Sequence, residues 1–209
     1  YMAKVYNFMA IALGISGVVA FLISTSPALL NAIYGTPLKY VIMFAPLVFV
    51  MFFSAKIHSL SFSTAKNYLW IFSALMGASI SWIFIAYTSV SIIRVFFISA
   101  SVFGAMSLYG YTTKKDLTSL GSFLFMGLIG IIIASVVNLF LQSSALQFAV
   151  SILGVLIFVG FTAYDTQNIK REFYQFSGND KVAVMGSLRL YMDFINLFIM
   201  LLQLFGSRK

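Results

Sequence analysis

Cysteine is absent from the 209 residues, and histidine occurs once, at His58. Disulfides, iron–sulfur clusters and thiol catalysis are excluded on that ground, and a histidine-built metal site or a serine–histidine protease is disfavoured. Carboxylates are nearly as scarce: Asp116, Asp165, Glu172, Asp180 and Asp193 are the whole set, against 13 Lys and Arg. Between Asp116 and Asp165 no residue of either charge occurs. The last apolar run, residues 186–206, holds no lysine, which removes a retinal-type Schiff base.

What remains is apolar. Hydrophobic residues make up 61% of the chain and charged ones 9%, with a mean hydropathy of +1.01, where a soluble domain has roughly 25% charge. This composition belongs to an integral membrane protein. The hydrocarbon layer is about 30 Å thick and each spanning helix needs about 20 mostly apolar residues. Seven stretches qualify: 5–25, 38–55, 67–88, 90–112, 117–141, 145–167 and 186–206. With short links they consume the chain and leave no room for a soluble catalytic domain. The expected architecture is a single all-α domain over 1–209, a compact bundle of seven transmembrane helices. A barrel would alternate apolar and polar residues in segments of about ten, and that pattern is missing. Turn residues mark the ends of the runs at Ser26 and Pro27, 35–37, 59–64, Ser143 and Ser144, and 177–180. Pro46 is expected to kink the second span, and the pairs Ala100 with Gly104 and Gly127 with Gly130 to mark close helix contacts. No internal repeat is visible, which weakens an inverted-repeat transporter.

Alternate connections differ in basic residues. Lys4, Lys56, Lys66, Lys114, Lys115, Lys170, Arg171 and Lys181 fall on one side, and little beyond Lys39, Arg208 and Lys209 on the other. The positive-inside rule places the first set in the cytoplasm, with the N-terminus inside and the C-terminus outside. Arg94, a turn into the fourth span, is expected to snorkel or find a partner. The net charge of +8 is therefore topology, with lipid as the partner and no nucleic acid implied. The first span is too long for a cleavable signal and is read as an uncleaved anchor. A start at Tyr1 leads to the expectation of a short polar segment before it.

Asp116 follows Lys114 and Lys115, Glu172 follows Arg171, and Asp180 precedes Lys181, so these three read as solvated, locally neutralised acids. Asp165 and Asp193 differ. Each lies in an apolar segment, where an ionised aspartate costs about 2.5–3.5 kcal/mol at mid-helix. They are equally far in sequence from Asn179, in the turn expected between the last two helices. At a rise of 1.5 Å per residue both carboxyls should sit about 21 Å from that turn. The matched depth is the ground for expecting direct or water-bridged contact. Two carboxylates that close cannot both ionise cheaply, and a shared proton makes a pH sensor. Deprotonated, they suit a hard cation such as Ca²⁺, which takes six to eight oxygen ligands, so two acids predict a weak site. Asn168 and Asn196, each three residues after its acid, could supply carbonyl oxygens. Arg189, four residues before Asp193, could instead hold that acid in a static salt bridge.

Residues 163–170 (AYDTQNIK) and 186–206 (GSLRLYMDFINLFIMLLQLFG) together resemble the signature of the transmembrane Bax-inhibitor family, and 1–10 (YMAKVYNFMA) is similar to its bacterial YccA-like branch. The resemblance implies a pH-sensitive Ca²⁺ leak, a central last helix and a bacterial inner-membrane location. It also assigns Asp165 and Asp193 as the gating pair. In the family an arginine near the end of the second helix latches one aspartate. Here residues 54–59 read SAKIHS, offering Lys56 or His58 instead, and the second span carries no acid. A lysine lacks the guanidinium fork, while His58 titrates near neutral pH.

The leading expectation is a proton-gated calcium leak that is not an enzyme, with no tightly bound cofactor and with Ca²⁺ as the permeant ion. A second reading is a membrane protein that restrains an ATP-dependent membrane protease, as is associated with YccA-like proteins. A third is an intramembrane aspartyl protease: Tyr164 and Asp165 fit its Tyr-Asp, but the residues before Asp193 lack the Gly-x-Gly-Asp of such enzymes.

Overall fold

The computed structural model describes residues 1–56, 59–175 and 180–209. Among them the helices are α1 (Met2–Thr25), α2 (Pro27–Tyr34), α3 (Leu38–Lys56), α4 (Phe62–Ile80), α5 (Trp82–Ala86), α6 (Ser89–Thr112), α7 (Thr118–Leu141), α8 (Ser144–Gln175) and α9 (Asp180–Phe205). With α4 and α5 forming one span, seven are long and apolar enough to cross a bilayer. The protein is an all-α multi-pass membrane protein.

Three features depart from the expected boundaries. Ser26 and Pro27 do not only end a span: Ser26 accepts from the Leu29 N–H at 3.4 Å and Pro27 opens α2, a serine cap followed by a proline whose missing N–H costs the first turn nothing. The third span is broken at Ser81. The Ser81 hydroxyl donates to the Ala78 carbonyl at 2.8 Å and meets the Tyr34 hydroxyl, also at 2.8 Å, so polar groups freed by the break find partners. Helix α8 runs on to Gln175 instead of ending at Gln167, and α9 starts at Asp180 instead of Gly186, because the charged residues there are good helix formers that gain partners across helices.

The chain divides into two compact units. The first holds α1 to α5, the start of α9 up to Leu188, and Arg208 and Lys209. In it α1 lies against α4: the Ser16 hydroxyl donates to the Ser73 carbonyl at 2.6 Å, and a Cβ on Gly77 would come within 2.5 Å of the Ser16 carbonyl oxygen. Phe53 stacks on Tyr68 at 5.7 Å between α3 and α4. Lys209 donates through its backbone N–H to Ala86 and through Nζ to the Phe84 carbonyl, at 3.0 and 2.8 Å. The positive tail thus covers open carbonyls at the end of α5, where the helix dipole favours a cation.

The second unit holds α6, α7, α8 and α9 from Arg189. Here α8 packs on both α6 and α7. Ser107 and Thr166 hydroxyls meet at 2.9 Å, Gly110 lies against the backbone of Ala163, and Gly121 against the ring of Tyr164. Gly127 packs on Ile157, but around Gly104 and Gly130 the space is open, so those two do not mark the contacts expected of them. Arg94 donates to the Phe205 carbonyl at 3.5 Å, a weak contact with the end of α9. Helix α9 is the most enclosed span: 56% of its apolar window is buried, against at most 39% in any other.

Candidate functional site

Helices α8 and α9 each present one polar face within the second unit. On α8 that face carries Asp165, Asn168 and Glu172, spaced three, then four residues apart. On α9 it carries Arg189, Asp193 and Asn196, spaced four, then three apart. Such spacing puts side chains on one side of a helix.

The structure sets the Asp165 and Asp193 carboxyls against one another, near enough to share a proton. Asp193 is only 5% exposed, between the buried Tyr191 and Phe194, and its Oδ2 is a buried atom that no hydrogen-bond donor reaches. Phe194 is itself held edge-on by Phe96 and Phe103 of α6, at 5.5 and 5.6 Å between ring centres. Ionised carboxylates only accept, so a hydrogen bond between these two needs a proton on one of them.

Arg189 forms its ion pair with Glu172, Nη2 to Oε1 at 2.8 Å, and its charge acts on both aspartates. Arg189 thus reaches an acid of α8, a pair that the reading of a static bridge within α9 did not include. Glu172 is not the solvated acid that its neighbour Arg171 suggested. It is half-buried and its negative charge also reaches Asp165.

Arg171 turns elsewhere, donating to Asp116 Oδ1 at 2.7 Å, Thr118 Oγ1 at 2.6 Å and Gln167 Oε1 at 2.9 Å. Gln167 completes a clamp on the loop before α7: its Oε1 accepts from the Leu117 N–H and its Nε2 donates to the Lys115 carbonyl. The hydroxyl and the backbone N–H of Thr118, with the Arg171 guanidinium, hold the exposed Asp116 carboxyl well below the usual carboxylate range. Asp180 pairs with Lys4 at 2.6 Å. Asp116, Glu172 and Asp180 thus each pair with a base distant in sequence, Arg171, Arg189 and Lys4 respectively.

Asn196 donates to the Met192 carbonyl at 2.8 Å, within its own helix, while Asn168 is half-buried on the aspartate face of α8. Lys56 ends α3 in the first unit and is exposed. His58 and the turn expected at Gly178 and Asn179 lie outside the described residues. Among the described residues no cluster of three or more His, Cys, Asp or Glu is arranged to hold a metal. Any cation at the aspartates would have two acids and neighbouring neutral oxygens, a poor set for a tight calcium site.

Across residues 1–209 the sequence matches the family described as inhibitor of apoptosis-promoting Bax1. The chain belongs to the Bax-inhibitor family. It is 47% identical to an uncharacterized protein of Rickettsia prowazekii, RP147, over 100% of this chain and 90% of that protein. It is 45% identical to the inner membrane protein YbhL of Escherichia coli, over 100% and 92% respectively. An uncharacterized membrane protein of Streptococcus pyogenes is 37% identical over 99% of this chain and 92% of its own length.

In this Bax-inhibitor protein, sequence reasoning singled out Asp165, Asp193 and Arg189 but set Glu172 aside. The missed signal was its register: Glu172 is seven residues, two helical turns, after Asp165. Gln167 was read as a span end. Its side chain instead secures the loop that carries Asp116.

Proposed function

We propose that this protein is a pH-sensitive calcium leak of the bacterial inner membrane, gated by a proton shared between Asp165 and Asp193. The observation that carries the reading is the contact between two carboxyls in an apolar helix pair. With one proton between them they hydrogen-bond and hold α8 to α9. Fully ionised, they repel unless a cation or the nearby Arg189 charge compensates. In the proposed cycle, alkaline conditions leave the pair charged and tied through that compensation. Acidification to full protonation removes the charges on which that compensation acts, weakens the tie and releases the cytoplasmic end of a helix.

Lys56 and His58 are the basic candidates for a latch, and the N-terminus is taken as cytoplasmic with the C-terminus outside. The protein acts as a conduit without a resident cofactor and not as an enzyme. Tyr164 of the Tyr-Asp pair packs on Gly121 of α7, which counts against a protease-like dyad. The likeness of residues 1–10 to the YccA-like branch supports a second reading, restraint of an ATP-dependent membrane protease; co-purification from native membranes tests it.

Reconstitution in liposomes loaded with a calcium dye tests the leading reading. Flux is expected to depend on pH in the native protein, and Asp165→Asn or Asp193→Asn should remove that dependence. Unchanged flux and an unchanged pH profile in both variants place the gate elsewhere.

A further inference from the structure

The polar face of α9 does not stop at Asn196. It continues through Met200 to Gln203, four and three residues on, so Asp193, Asn196, Met200 and Gln203 form one stripe. The facing stripe of α8 meets it at three levels. Asp193 touches Asp165, Met200 touches Gly154, and Gln203 accepts from the Ser151 hydroxyl at 2.9 Å. The Gly154 contact is intimate: a Cβ there would lie 2.9 Å from both Cγ and Sδ of Met200. The methionine fills the room that a side chain would take.

Beyond Met200 the seam opens into a cleft of about 240 Å³, lined by the polar Ser135, Asn138, Gln147 and Gln203 and the apolar Leu139, Val150 and Met200. Three of these are neutral amides. The Asn138 Nδ2 donates to Gln147 Oε1 at 3.4 Å, and Asn138 Oδ1 accepts from the Ser143 N–H at 2.9 Å. Around the cleft the chain is lipid-like: Leu139, Phe140 and Phe148 are all exposed. Each of these amide oxygens accepts one hydrogen bond that ties the α7–α8 turn or the α8–α9 seam, from Ser143, Asn138 or Ser151, and each has a second lone pair to offer. They are suited to holding water and a hydrated cation through carbonyl oxygens, with no fixed charge to trap it.

We infer that the α8–α9 seam is the permeation route, with this amide-lined cleft as its outer vestibule for hydrated cations and Met200, seated on Gly154, as the plug between vestibule and aspartate pair. The identity of the ion rests on the calcium-leak reading, whereas the route rests on the seam geometry. Met200 is a suitable plug because an unbranched thioether side chain changes rotamer at little cost and no backbone need move.

The chain has no cysteine, so single cysteines can be placed and probed with a thiol-reactive quaternary ammonium added from the outer side of oriented vesicles. Gln203→Cys should react readily, and Asn196→Cys at least about tenfold more slowly, as a site reached only by local opening. Adding Met200→Ala should raise the Asn196→Cys rate about tenfold or more, while Leu202→Ala, on the far side of α9, should not. Equal rates at 203 and 196, no gain from Met200→Ala, or the same gain from Leu202→Ala each overturn the plug. If Asn196→Cys is not recovered in membranes, Asn168→Cys, on the α8 face beyond the plug, gives the second readout: a rate equal to that of Gln203→Cys, or one that Met200→Ala leaves unchanged, overturns the proposal, and a slower rate that Met200→Ala raises supports it. Calcium flux in the same vesicles is scored separately. The labelling pattern without flux overturns the calcium reading and leaves the route, and flux without the pattern overturns the route.

Discussion

Arg189 is the residue whose replacement should say most about how the charges depend on one another. It is paired with Glu172, both partners about a quarter to a third exposed, between the surface pairs worth under about 1 kcal/mol and the buried ones whose breaking costs about 3–5. Arg189→Met should therefore lower stability by about 1–2 kcal/mol, and Arg189→Met with Glu172→Gln should cost less than the sum of the two single changes. Thermal unfolding in detergent checks both statements, and strict additivity would remove the pair from the account. Asp116 gives a sign for pH dependence. Its carboxyl is held below the ordinary range by Thr118 and Arg171, so its contribution is complete above the unfolded value of about 3.9 and fades as pH falls towards the folded value. The stability gap between the native protein and Asp116→Asn should be flat from about pH 5 to 8 and shrink below about pH 4. Melting curves across that range provide the check. At this scale Asp165 and Asp193 were legible because an acid in an apolar run has few bland uses. Glu172 and Gln167 were not, because each sits in a polar stretch where the sequence gives no sign of which helix a side chain reaches.

Among elements, the glycines sort into two kinds that composition cannot separate. Gly77 has the Ser16 backbone where a Cβ would go, whereas Gly104 has open space. Gly77→Ala must push α1 away from α4, at about 1–3 kcal/mol as overpacking usually costs. Gly104→Ala should be neutral or stabilising by up to about 1 kcal/mol through helix propensity. Unfolding of the two variants side by side tests the opposite signs, and equal losses would mean that the contact at Gly77 is not tight. The spans were readable because apolar length alone sets them, and Ser143 was a true boundary: it accepts from the Leu146 N–H at the start of α8. Helix α2 was missed because Ser26 with Pro27 reads equally well as a stop and as a start. The length of α8 was missed because Lys170, Arg171 and Glu172 look like loop charges until their partners on other elements are known.

For the whole molecule, seven spans put the loop with Lys114 and the turn with Ser143 on opposite sides of the membrane, since α7 alone separates them. In intact cells, Ser143→Cys should react with a membrane-impermeant maleimide and Lys114→Cys only after permeabilisation. The reverse pattern would invert the proposed orientation and place the amide-lined cleft on the cytoplasmic face. Lysine and arginine alone assign a side to each loop, and the labelling pattern tests that assignment. Arg208 and Lys209 looked like exceptions until Lys209 was seen to serve the open carbonyls of α5, a need created by chain folding and invisible in a charge count.

The joint at Ser81 bears on the lipid itself. A span built from two helices hinged at a serine can shorten by bending there, whereas a straight rod can only tilt or thin the surrounding bilayer. With Tyr34 as the catch on that hinge, the third span has a built-in place to bend to membranes of different acyl-chain length.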